Sequence, residues 1–134
     1  MTNGSFDLDS LVAFWREEAE EALRAAEHLI EKTDYSYALF FGHLAVEKAL
    51  KAAYVARRKE HAPLTHNLVR LARGAGLDID AGRVDALTTI TAFHLEARYP
   101  DVKRTFRQRC TPEYTQQQMA VIKEVFAWLT SLLA

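Results

Sequence analysis

His43, Glu47, Lys48 and Lys51 lie within YSYALFFGHLAVEKALKAAYVARRK, Tyr35–Lys59, which holds the longest apolar run of the chain. Residues three and four apart share a helix face, so His43, Glu47 and Lys51 line up, with Lys48 beside them. A histidine with a carboxylate can pass a proton. The same pair can begin a metal site, but its remaining ligands would have to come from as far away as His66 and His94, and a lone pair at that spacing is a weak signal; no metal is expected. Cys110 stands among basic residues that would favour a thiolate, yet no histidine is near it in sequence, and a surface cysteine is the plainer expectation. A glycosidase-type carboxylate pair has no support, because the acids of the first helix fall on its solvent face.

The chemistry left is anion recognition. Lys48, Lys51, Arg98, Lys103, Arg104, Arg107 and Arg109 supply point charges and guanidinium forks for a phosphate or an RNA backbone. His43, His66 or His94 would add hydrogen bonds or acid–base work. The competing role for Glu47 and Lys48 is a salt-bridged network tying helices together, since buried charges are usually paired.

Five helices are expected to position these groups. The first starts near Asp7 or Asp9 and ends around Lys32, with Leu8, Val12, Trp15, Ala19, Ala22, Ala26 and Leu29 as its apolar stripe. Asp34 can cap the second and central helix, which is apolar over most of its girth and therefore packed from several directions. Gly42, costing about 1 kcal/mol in a helix interior, points to a close crossing there. Thr65 is the expected N-cap of a short third helix, His66 to Arg73, closed by Gly74 and Gly76. Asp80 can cap a fourth, carrying Val84, Leu87, Ile90, Thr91 and His94 and ended by Pro100. The segment 101–111 reads as a basic loop. Thr111-Pro112-Glu113 starts the last helix, which runs to about Leu133. That helix carries two apolar rows: Met119, Ile122, Phe126, Leu129 and Leu133, and beside them Val121, Val125, Trp128 and Leu132. The second exceeds what a monomer core needs, so dimerisation is expected, with this helix contributing. The fold class is all-α: an up-and-down bundle of four long helices plus one short one, a single domain over 1–134.

The totals set limits. The 134 residues are 49% hydrophobic and 26% charged, enough for one core and too apolar for a disordered chain. A single cysteine excludes an internal disulfide and a cysteine metal cluster, and a cytoplasmic setting is expected. No secretory signal or membrane span is apparent. Net charge is −1, but it is blocked: Asp7–Asp34 holds nine acids and three bases, and Tyr35–Arg73 seven bases and two acids. Residues 98–109 hold five bases and one acid. Such blocks are either solvated helix faces or local anion-attracting patches.

Ala38-x-x-x-Gly42-His43-x-x-x-Glu47-Lys48-x-x-Lys51-Ala52, then Thr65-His66-x-Leu68-x-x-Leu71, then Arg98-Tyr99-Pro100, resembles the HEPN domain family (higher eukaryotes and prokaryotes nucleotide-binding). The resemblance covers nearly the whole chain, with His43, Glu47, Lys48, Tyr99 and Pro100 as signature positions. It implies a bundle of about five helices, often a homodimer and often a nucleotidyltransferase partner. Some members are metal-independent endoribonuclease toxins; others bind nucleotides or serve as non-catalytic modules. The catalytic members carry an arginine followed, after four to six residues, by a histidine. After Arg98 those positions hold Lys103, Arg104 and Thr105. The resemblance therefore implies a dimeric module binding a nucleotide or other polyanion through Lys48, Lys51, His66, Arg98 and Arg104, without cofactor or catalysis of its own. The alternatives are an endoribonuclease toxin working through His66, His94 or Arg98, and a purely structural dimerisation module.

Overall fold

The computed structural model describes residues 4–133, with side chains over 7–99 and 102–133. Six helices follow one another: α1 (Gly4–Glu31), α2 (Tyr35–Arg58), α3 (Leu68–Gly74), α4 (Ala81–Glu96), α5 (Pro100–Arg109) and α6 (Pro112–Leu132). Among the described residues there is no strand. The expected all-α bundle is present, and α2 is its axis, touching every other helix and packing most extensively on α1. The girth of α2 explains this, because Ala38, Leu39, Val46, Ala49, Leu50, Ala53 and Val55 are all buried although they point in different directions. Gly42 sits where α2 crosses α6: a Cβ there would stand 2.6 Å from Ile122 Cδ1. Glycine is kept despite its helix cost because the crossing leaves no room for a methyl group.

Asp80 and Thr111 cap α4 and α6 as expected, accepting hydrogen bonds from the Arg83 and Tyr114 amides at 2.8 and 3.1 Å. Three expectations are corrected. α1 begins at Gly4, ahead of either aspartate. α3 begins at Leu68 rather than His66, with Asn67 as its cap in place of Thr65. Asn67 Oδ1 accepts from the Arg70 amide at 3.0 Å, while Thr65 Oγ1 accepts from the Asn67 amide at 3.2 Å, so the threonine closes a turn before the helix. His66 is thereby left on the approach to α3.

The largest correction is the basic loop over 101–111, which is helix α5 up to Arg109, with Pro100 in its first turn. One side chain anchors it. Phe106 is fully buried and stacked on Phe93, their ring centroids 5.6 Å apart. Cys110, expected at the surface, is buried too, and burial pushes its thiol up to about 11. At neutral pH it is a protonated core residue and no nucleophile.

On α6, Met119, Ile122, Val125 and Leu129 are buried, so the core row draws on both expected rows. Val121, Phe126 and Trp128 are partly covered, Trp128 lying 4.2 Å beneath the Arg83 guanidinium. Leu132 remains exposed.

Candidate functional site

Glu47 is almost completely enclosed, and both carboxylate oxygens are engaged. Lys51 Nζ donates to Oε2 at 3.0 Å from the next turn of α2. His66 Nδ1, reaching in from the approach to α3, meets Oε1 at 2.8 Å. Burial pushes the Glu47 carboxyl up, but the hydrogen bonds from His66 and Lys51 outweigh it and hold the group below its ordinary range, hence ionised. An ionised carboxylate only accepts, so His66 carries its proton on Nδ1 and leaves Nε2 with a free lone pair.

His43, one turn before Glu47 and wholly buried, fixes the backbone beside it. Its Nε2–H donates to the His66 carbonyl at 3.1 Å, which leaves Nδ1 bare and without a partner among the described residues. Burial lowers its pKa, so the ring is neutral. The His66 ring stacks on that of His94 with centroids 3.9 Å apart, while His43 and Phe40 approach His94 at 5.0 and 5.7 Å. Arg98, one turn beyond His94, donates from Nη1 to His94 Nε2 at 3.3 Å. Arginine cannot accept, so this nitrogen is the deprotonated one. Burial, then the positive potential of His43, His66 and Arg98, lower the His94 pKa to about 4.

The result is one cluster drawn from α2, the α3 approach and α4. His66, its side chain 55% exposed, and exposed Arg98 form its outer surface; Glu47, His43 and His94 lie beneath. Such a surface offers a lone pair, a guanidinium fork and a flat imidazole stack, a set suited to a phosphate ester.

The other expected ligand residues lie elsewhere. Lys48 pairs with Glu18 Oε1 at 2.9 Å, tying α2 to α1. Lys51 is buried in its ion pair, 5.0 Å over the Trp15 ring, rather than open to a ligand. Arg104 is exposed on α5 with no ion-pair partner among the described residues. Lys103 donates to the Tyr37 hydroxyl at 2.5 Å, and Arg109 to Glu96 at 2.6 Å. Tyr99 is exposed at the entry to α5, and Pro100 opens that helix. Of the seven cations expected to converge, only Arg98 meets a histidine. Sequence reasoning missed Phe40 as the aromatic under His94 and Trp15 as the partner of Lys51; as members of apolar stripes they carried no sign of either contact. Among the described residues no group of three or more His, Cys, Asp or Glu side chains is placed to hold a metal ion.

Histidine titration should make stability pH-dependent. The unfolded chain takes up a proton on each histidine near pH 6.5, whereas folded His94 resists until about 4. The folded state then binds fewer protons between those values, so stability present above pH 6.5 is lost as pH falls towards 4. His43 acts in the same direction, and Glu47 adds to the loss once it too protonates. The expected decline attributable to His94 is about 2–3 kcal/mol. Thermal melts between pH 7.5 and 4 check it, with His94→Gln flattening the profile; a profile that His94→Gln leaves unchanged would assign the decline to other groups.

An all-α bundle with a buried carboxylate aiming a histidine beside an arginine defines the class: a small helical domain with a polar surface suited to phosphate. Comparison with known families is specific. The HEPN domain matches residues 12–132, and the chain belongs to that family. The crystal structure of TT1696 from Thermus thermophilus is similar, with a TM-score of 0.78 over 90% of this chain and 97% of that one. At 22% identity the likeness shows the fold alone. No curated protein matches the chain. Among the described residues no helix is long and apolar enough to cross a membrane.

Proposed function

We propose that this HEPN domain binds a phosphate-bearing ligand, a nucleotide or an RNA strand, on the surface formed by His66, His94 and Arg98. It acts as a cytoplasmic homodimeric module alongside a nucleotidyltransferase partner. The observation that carries the binding reading is the Glu47–His66–His94–Arg98 relay, in which a buried ion pair orients an exposed imidazole next to a guanidinium. A core needing only stability would fill that volume with apolar side chains. Calorimetry with ATP, GTP and a short RNA tests the reading. Uptake of at least one should weaken as salt rises, and Arg98→Gln should weaken it at least about tenfold, the loss expected for a charge-assisted hydrogen bond. No heat with any of the three overturns it.

A second reading, a metal-independent endoribonuclease, is favoured by one observation: the His66 tautomer leaves Nε2 as a base in reach of solvent. It predicts RNA cleavage in EDTA that His66→Ala abolishes. Intact RNA under those conditions excludes it and leaves the binding module.

A further inference from the structure

We propose that the N-terminus of α2 is a second anion site, taking a tetrahedral phosphate, either free or as the monoester of a small molecule. A cavity of about 300 Å³ opens there between the α1–α2 turn and α5, lined by Thr33, Asp34, Ser36, Tyr37, Arg107 and Cys110 among others. Three observations converge on it.

The first is an uncapped helix end. Asp34 occupies the cap position of this 24-residue helix with ψ near 69° rather than extended, and its carboxylate makes no hydrogen bond to the first turn. Helix geometry leaves the Tyr35, Ser36 and Tyr37 amides without carbonyl partners; the fourth amide, of Ala38, already bonds Asp34 O at 2.9 Å. Those donors and the positive end of the helix dipole face the cavity.

The second is Ser36. It is only 5% exposed and lines the cavity, and its hydroxyl has no hydrogen-bond partner among the described residues. A buried hydroxyl is ordinarily satisfied, so one aimed into a polar cavity marks a place for an acceptor.

The third is charge. Arg107 stands on the wall with its guanidinium 6.0 Å from the Tyr37 ring, and Lys103 reaches the Tyr37 hydroxyl on the same side. Neither pairs with a carboxylate among the described residues. Asp34 is the one opposing charge on the wall. It is exposed, and two cations with the helix dipole outweigh it. Cys110 is a neutral thiol and adds no repulsion. The cavity has room for a phosphate and the first group it esterifies, and it lies apart from the histidine cluster.

Backbone amide shifts of Ser36 and Tyr37, followed by NMR at fixed pH and ionic strength, test the proposal with inorganic phosphate and ribose 5-phosphate as parallel probes and chloride as control. Both amides should shift saturably. Arg107→Gln, an exposed change that spares the fold, should weaken binding at least about tenfold, and Ser36→Ala by about tenfold, the range for hydrogen bonds to a charged group. His66→Ala should leave it unchanged, which separates this site from the histidine surface. Tighter binding of ribose 5-phosphate identifies an ester as the ligand, and equal binding identifies the free ion; both sustain the site. Shifts that do not saturate, that chloride reproduces, or that persist in Arg107→Gln overturn it.

Discussion

Glu47→Ala is expected to lower the stability of the fold by about 3–5 kcal/mol, the cost of removing one partner from a buried ion pair. Lys51 would keep its charge at 7% exposure with no carboxylate to meet it, and only the Trp15 ring beneath. The His66 imidazole would lose its only side-chain hydrogen bond, a 2.8 Å contact. A control makes the assignment specific. His66 is more than half exposed, so His66→Ala should cost under about 1 kcal/mol, because its departure leaves Glu47 still paired with Lys51. Replacing the pair together, Glu47→Leu with Lys51→Met, should recover much of the loss, since apolar residues of similar volume leave no charge unpaired. Urea unfolding of the four proteins measures all of this. Glu47→Ala unfolding like the parent would show that the carboxylate is not the hub described.

Phe106→Ala is expected to cost about 3–5 kcal/mol, the usual range for deleting a fully buried aromatic ring. Phe106 is the one fully buried side chain described on α5, so the loss falls on a helix of ten residues with little else to hold it. Isolated helices this short are marginal in water. Hydrogen exchange should therefore show the amides of α5 losing protection well before those of α2. The basic side chains of α5 and the phosphate cavity beside Arg107 should be affected together. If protection across α5 matched that of the parent while global stability fell, Phe106 would be serving the core alone and α5 would stand by other means.

The helices α1, α2, α4 and α6 were legible in the sequence because each is long enough for apolar residues to repeat at threes and fours. Their caps, Asp80 and Thr111, act through local side-chain bonds that need no tertiary partner. The close crossing at Gly42 was legible too, because a glycine kept inside a helix needs a reason that only packing supplies. Segment 101–111 was not legible. It is rich in charge and carries a single strong apolar anchor, so no periodicity can be read from it, and its helicity depends on Phe106 finding Phe93 some distance back along the chain. Asn67 displaced Thr65 as the cap of α3 for a similar reason: both residues can cap, and the choice was decided by where His66 had to sit to reach Glu47.

Sequence by itself determined the residue types of the histidine site, namely His43, Glu47 and Lys51 on one helix face and His94 with Arg98 on another, since helical spacing is a local property. It also determined the family pattern that carries them. What only the tertiary structure decided is which of these groups meet. Lys48 and Lys51 were equal candidates for a ligand, yet the packing of α1 against α2 turns one towards Glu18 and buries the other above Trp15. His66 and His94 lie on different elements with no spacing rule between them, and they stack because Glu47 draws His66 inward while α4 brings His94 to the same place. Distances between elements depend on the packing of the whole core, and no local pattern along the chain encodes them.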